Sequence, residues 1–353
     1  MTETVEIAGR RIGPDYEPYV ICELSGNHNG SLERALAMID AAATTGADAI
    51  KIQSYTPDTL TIDHNGPDFR ITGGLWAGRT LYELYQEAHT PFEWHDAMFA
   101  RARQRNVTLF STPFDETAAD MLEALGAPAY KIASFEAIDL ALIAHVARKR
   151  KPIIISTGMA SRDEIGEAAA TARANGCPGI VLLHCVSAYP APIDEAKVRN
   201  VPLLAETFGC VTGLSDHTPG SAAAVASVAL GGAVVEKHFT LARADGGPDA
   251  AFSLEPAEFA ALVADCKAAW RALGRAGFDR PPSERGSLSF RRSLYVVADI
   301  ARGAAFTAQN VRSIRPGFGM APKHLPEILG RVAARNLKRG EALTPDMIAA
   351  QTQ

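Results

Sequence analysis

Two histidines stand just past short apolar runs, His217 in GLSDHT (213–218) and His238 in VVEKHFT (234–240). Each has an acidic neighbour, Asp216 and Glu236. Neutral imidazole binds Mn, Fe, Co, Zn and similar divalent ions. Two such rings at the ends of adjacent strands would hold one ion and leave positions open for water and a substrate oxygen, as a catalytic metal requires. Taken singly, each histidine reads more simply as a hydrogen-bonded interior residue; the pairing is what points to a metal.

Two lysines, Lys51 in AIKIQ (49–53) and Lys131 in AYKIA (129–133), interrupt otherwise apolar segments. Burying an ammonium group is costly unless an anion compensates it. With the hydroxyls of Thr112, Ser134, Ser156 and Ser215, the lysines make a set suited to a phosphate plus a carboxylate: charge from lysine, directional donors from the hydroxyls. The plainer alternative pairs a lysine with a carboxylate of the protein, Glu23 or Glu236.

The elements that carry these residues alternate regularly from about residue 19 to 274. Short runs rich in aliphatic residues read as strands: YVICE (19–23), AIKIQ (49–53), VTLFS (107–111), AYKIA (129–133), PIIIS (152–156), IVLLHC (180–185), CVTGLS (210–215) and AVVEKH (233–238). Amphipathic, alanine-rich stretches between them read as helices, and that alternation implies a parallel sheet covered on both faces. The rhythm is that of a (β/α)8 TIM barrel, class α/β, and no GxGxxG follows the first strand to favour a doubly wound sheet. Every strand then brings a polar group to or near its C-terminal end: Glu23; Lys51 and Gln53; Ser111 and Thr112; Lys131 and Ser134; Ser156 and Thr157; His184; Ser215 to His217; Glu236 to His238. Active sites of this barrel lie at that end.

VEIAGRRIG (5–13) reads as a hairpin plugging the opposite end. Residues 1–274 are thus expected to form the barrel, the Gly/Pro/Arg-rich 275–292 a linker, and 293–353 a compact module of short strands and turns. Within that module IARGAAFTAQNV (300–311) and LKRGEALTPDMI (337–348) echo each other. The module carries eight Lys/Arg against four Asp/Glu, dispersed, so nucleic acid is not expected. Hydrophobic residues are 47% and charged residues 21%, without an apolar run long enough to span a bilayer. The five cysteines are scattered without CxxC spacing, which points to a reducing, cytoplasmic setting.

Weaker features are NHNG (27–30), whose Asn27 and His28 are candidates to face the site; SAYPAP (187–192), whose Tyr189 is a candidate wall; and DGGPDAAFS (245–253), a loop suited to closing over substrate. His64, His89, His95, His145 and His324 read as surface or structural, and the Phe92, Trp94, Met98, Phe99 stripe as core.

The motifs ELSGNHNG, IKIQSY, STPFDE, YKIAS, ISTGM, LLHCVSAYPAP, GLSDHTPG and VEKHFT, in this order, resemble the sialic acid (nonulosonate) synthase family along nearly the whole chain. The C-terminal part resembles that family's antifreeze-like (SAF) β-clip domain. LYELYQEAHTPFEW, GFGMAPKHLPEILG and GGPDAAFS resemble the pseudaminate branch; neuraminate and legionaminate synthases usually carry histidine where Ala250 stands, although serine is more usual than alanine there in the pseudaminate branch. The resemblance implies condensation of phosphoenolpyruvate with a 2,4-diacetamido-2,4,6-trideoxy altrose, giving a nine-carbon acid and phosphate. It implies His217 and His238 as ligands of a divalent metal, Mn2+ first, with Mg2+ or Co2+ as alternatives. Lys51, Thr112, Lys131, Ser134, Ser156 and Ser215 would bind phosphoenolpyruvate; Gln53, Glu136, Tyr189, Asp249, Phe290 and Arg315 would meet the sugar. Glu23, then Glu236, would do acid/base work, with Lys131 stabilising the departing phosphate. Arg315 implies a domain-swapped homodimer. The rival readings are a neuraminate or legionaminate synthase, a Schiff-base aldolase using Lys131, and a non-catalytic sugar-binding protein.

Overall fold

The computed structural model describes residues 4–350 and divides into two compact units, Met1–Gly274 and Arg275–Gln353. The first is built around a closed barrel of eight parallel strands: β3 (Tyr19–Glu23), β4 (Ala49–Ser54), β5 (Thr108–Pro113), β6 (Tyr130–Ile132), β7 (Ile153–Ser156), β8 (Ile180–Cys185), β9 (Val211–Asp216) and β10 (Val234–His238). Each pairs with its neighbour in sequence, and β10 closes on β3. All eight strands expected from the sequence are present within a residue or two.

Strand side chains alternate between faces, and two cores result. Outward residues such as Val20, Ile50, Ile132, Ile155 and Leu182 pack beneath the helices. Inward residues at the strand starts, among them Tyr19, Ile21, Phe110, Ile154, Val181 and Val234, cluster with Val5, Ile7 and Ile12. The last three come from the antiparallel hairpin of β1 (Val5–Ile7) and β2 (Arg10–Ile12), so the hairpin does plug the N-terminal end of the barrel. With that end of the barrel interior filled by hydrocarbon, the inward-pointing polar side chains of the strands collect at the other.

Several helices start immediately beyond the strands on capping residues: the side chains of Ser31, Asp115, Asp139 and Ser161 each accept a backbone N–H from the first turn. No helix among the described residues is long and apolar enough to cross a membrane.

In the second unit, β11 (Ser293–Val296) and β12 (Val311–Ile314) pair antiparallel over a core of Leu294, Val296, Phe306, Val311, Ile328 and Leu343. The sequence echo is a structural one. Ile300 and Leu337 exchange backbone hydrogen bonds, Gly303 N–H donates to Ala333 and Gly340 N–H to Val296, and Phe306 N–H donates to Arg331 and Leu343 N–H to Leu294. Gly303 and Gly340 both have positive φ, 79° and 94°, which only glycine adopts without cost.

Candidate active site

Inward-pointing residues at the C-terminal ends of the strands form one charged cluster. Lys51 Nζ on β4 lies 2.9 Å from Glu23 Oε2 on β3 and 3.2 Å from Glu236 Oε1 on β10. It also donates to Thr112 Oγ1 on β5 at 3.2 Å. Lys131 Nζ on β6 stands 3.8 Å from the same Glu236 oxygen, to which Ser215 Oγ on β9 donates at 3.3 Å. Glu23 Oε1 accepts from Gln53 Nε2 at 3.0 Å and from Ser25 N–H at 3.2 Å. Both lysines and both glutamates are buried.

The two carboxylates are driven apart electrostatically. Burial raises the pKa of Glu23, and Lys51 only partly offsets it. Burial also pushes Glu236 up, but Lys131 and Lys51 together outweigh it, and its pKa falls below the ordinary value. Lys51 is desolvated yet held above its ordinary pKa by Glu23 and Glu236, whereas burial leaves Lys131 lowered. Opposed shifts on neighbouring carboxylates are the pattern that lets one carry a proton while the other stays an anion.

Beside the cluster are hydroxyls with spare capacity. Ser156 Oγ is buried without a partner, as is Glu236 Oε2. Ser134 Oγ accepts from the N–H of Gly158 at 3.1 Å. A Cβ on Gly158 would come within 2.2 Å of Ser187 Oγ and 2.8 Å of Ser134 Oγ, so glycine is needed for the two hydroxyls to converge.

His217 and His238 face each other with ring centroids 5.3 Å apart. Their strands approach closely because of Gly213, where a Cβ would lie 2.0 Å from the carbonyl oxygen of Val234. Burial, above all, keeps His238 far below the ordinary histidine pKa, hence neutral, and its Nδ1 is buried without a hydrogen-bond partner. His217 Nδ1 lies 3.0 Å from the carbonyl of Val186; a proton there leaves Nε2 as a free lone pair, the usual way a ligand imidazole is oriented. These donors fit a divalent ion. Among the described residues no three His, Cys, Asp or Glu group together to hold a metal, so an ion here would take its other ligands from water and substrate.

The histidine pair is roofed by aromatics. The Tyr189 ring is 4.5 Å from His217 and 5.4 Å from Phe252, and Phe252 is 4.9 Å from His238. Asp249 Oδ2 accepts from Ser25 Oγ and lies 3.7 Å from His238 Nδ1; burial raises its pKa. Glu136 follows β6, and burial lifts it to about 7.

Most of the barrel residues singled out from the sequence thus gather at one end of it, with three corrections. His184 points outward and meets the carbonyl of Ala196 at 2.8 Å, because the alternation that turns Val181 and Leu183 inward turns Cys185 inward too. Cys185 is the residue the sequence reading missed: its Sγ is 3.8 Å from His217 Nδ1, and although burial pushes the thiol up, His217 and Ser134 bring it to about 7. Asp216 likewise turns away, in a buried ion pair of 2.7 Å with Lys237. Asn27 and His28 do not face the site. Asn27 Nδ2 donates to Phe239 O and Ser253 Oγ, which ties the first loop to the last, and His28 meets Thr90 and Trp94 in the segment between β4 and β5. Phe252 and Trp76 were also missed: Phe252 lies in the 245–253 loop that the sequence did single out, whereas Trp76 comes from a loop without local signal. Phe290 and Arg315 lie in the second unit, where with Arg291, Arg292 and Pro322 they line a surface hollow of about 560 Å³.

Residues 38–277 match the NeuB family profile, and residues 291–349 match the SAF domain. The chain belongs to the NeuB family. It is 44% identical to pseudaminic acid synthase of Campylobacter jejuni over 93% of this chain and 96% of that one. The N,N'-diacetyllegionaminic acid synthase of the same organism is 34% identical over 92% of this chain and 98% of its own length. Among solved structures, N-acetylneuraminic acid synthetase of Leptospira borgpetersenii superposes with a TM-score of 0.73 at 30% identity, covering 82% of this chain and 97% of that one. Enzymes of the family are metal-dependent, phosphoenolpyruvate-consuming transferases that form a C–C bond with an amino sugar.

Proposed function

We propose that this chain is a pseudaminic acid synthase, condensing phosphoenolpyruvate with 2,4-diacetamido-2,4,6-trideoxy-β-L-altropyranose to give pseudaminate and phosphate. Two features support the reading: the charged cluster beside the histidine pair, and the ten-point excess of identity toward the pseudaminic over the legionaminic acid synthase, 44% against 34%.

Lys51 and Lys131, with Thr112, Ser134, Ser156 and Ser215, receive the phosphate and carboxylate of phosphoenolpyruvate. Arrival of this anion draws Lys51 away from Glu23, which raises the Glu23 pKa further, so Glu23 enters the cycle protonated. His217 and His238 would hold a divalent ion, Mn2+ in our reading, which when bound would supply Lewis-acid polarisation of the open-chain sugar's aldehyde. As the enol carbon bonds to the aldehyde carbon, Glu23 gives its proton to the aldehyde oxygen. The carboxylate so formed takes a proton from the water that adds to the cationic carbon of the former enol, and Glu23 returns to its starting state. The tetrahedral adduct breaks its C–O bond to phosphate and becomes a ketone, its hydroxyl proton leaving with the phosphate, whose charge Lys131 and Lys51 stabilise. Glu236 stays anionic and holds both ammonium groups in place.

Gln53 orients Glu23, and Tyr189, Asp249 and Glu136 line the acceptor side. Phe290 and Arg315 complete the acceptor site from a second copy of the chain in a swapped homodimer.

Phosphate release from phosphoenolpyruvate with Mn2+ tests this, offering the altrose sugar, its gluco-configured counterpart and N-acetylmannosamine separately. Turnover with the altrose sugar alone supports the assignment. Turnover with another acceptor keeps the mechanism and overturns the substrate.

A further inference from the structure

The segment between β4 and the helix Leu81–Ala88 has a defined form. Ile71 and Arg79 are joined by a backbone hydrogen bond, Gly78 N–H donates back to Ile71, and Arg70 bridges Thr80. The result is a narrow hairpin-like loop whose tip is GGLWAG (73–78), with Gly74 and Gly78 at φ of 77° and 91°. That tip delivers Trp76. Its indole N–H donates to Pro248 O at 2.9 Å, and its ring lies 5.6 Å from that of Tyr189. Both partners border the histidine pair: Tyr189 packs on His217, and Pro248 precedes Asp249, which approaches His238.

Trp76 therefore joins the two loops that wall the site, one after β8 and one after β10, from a third loop after β4. Without it, Tyr189 loses its outer neighbour, and the carbonyl beside Asp249 loses its donor. The residues assigned to phosphoenolpyruvate, by contrast, lie on the strands or, for Ser134, two residues beyond β6, and the partners of Trp76 are Pro248 and Tyr189.

We propose that Trp76 is an acceptor-positioning residue. It braces Tyr189 and Asp249 in the geometry that receives the amino sugar and leaves phosphoenolpyruvate binding untouched. This rests on the synthase reading above.

The test splits the two substrates. Trp76→Leu, which loses ring and donor, is expected to raise the acceptor KM about 10- to 50-fold, and Trp76→Phe, which keeps a ring, about three- to fivefold, with the phosphoenolpyruvate KM within about twofold in both. A second readout does not depend on turnover. The borohydride-reduced acceptor lacks the aldehyde and cannot react. Added with phosphoenolpyruvate to the wild-type protein, it is expected to change tryptophan emission, and that change should vanish in Trp76→Phe. The other two tryptophans are engaged elsewhere, Trp94 against His28 and Trp270 on the carbonyl of Pro14. An unchanged acceptor KM in Trp76→Leu, equal rises for both substrates, or an emission change that survives in Trp76→Phe overturns the role while the synthase reading stands. A wild-type protein that turns over no diacetamido sugar overturns the synthase reading, and this inference with it.

Discussion

Lys51 Nζ sits 2.9 Å from Glu23 Oε2, an ion pair across the first two strands of the barrel with both groups buried. In the proposed mechanism this pair would couple phosphoenolpyruvate binding at Lys51 to the protonation of Glu23. Glu23→Gln keeps the shape and removes the proton transfer. It is expected to lower kcat about 10²- to 10⁴-fold while the phosphoenolpyruvate KM changes little. Steady-state kinetics decide it, and a kcat within about threefold of wild type would move the acid/base role to Glu236.

The histidine pair predicts a metal dependence that can be read without catalysis. Mn2+ binding by calorimetry or electron paramagnetic resonance should give one site in the wild type and none in His217→Ala or His238→Ala. EDTA should abolish phosphate release, and added Mn2+ should restore it. Retained Mn2+ binding in both single variants would refute the assignment.

Lys237 and Asp216 offer a contrast to Lys51 and Glu23. Their pair faces the helices, and Asp216 also accepts from the N–H and hydroxyl of Thr218. Lys237→Met should cost about 3–5 kcal/mol of stability by stranding a buried carboxylate. Urea denaturation should show that loss, with KM values unchanged at a temperature where the variant is folded.

Glu136 carries a pH signature. Its folded pKa of about 7 exceeds that of an exposed glutamate, because burial disfavours the anion. The folded state therefore binds the extra proton, and this contribution is fully present below the unfolded pKa and lost as pH rises through about 7. Glu136→Gln removes the penalty. It should be more stable than wild type at pH 8.5 by up to about 3 kcal/mol, and the difference should vanish near pH 4. Equal stability curves at both pH values would show that Glu136 titrates normally.

If Arg315 serves the partner's site, Arg315→Ala should raise the acceptor KM without dissolving the oligomer. Refolding His217→Ala chains together with Arg315→Ala chains should then restore, at low acceptor concentration, more activity than either variant shows alone. Absence of complementation would confine each site to one chain.

The chain's local patterns determined the barrel and the inventory of its site. A period of two along YVICE, AIKIQ and AVVEKH is enough to send Glu23, Lys51, Gln53, Glu236 and His238 to one face. The same rule applied to IVLLHC selects Cys185 over His184, so that correction was legible in the sequence. Only closure of the barrel decided the rest. The split between Glu23 and Glu236 depends on how many ammonium groups reach each carboxylate from other strands, a sum over distances that no single strand contains. The pairing of Lys237 with Asp216 needs two strands in register. The roof of Tyr189, Phe252 and Trp76 brings together three loops far apart in sequence, and contacts of that kind exist only once the sheet has brought its loops to the same end.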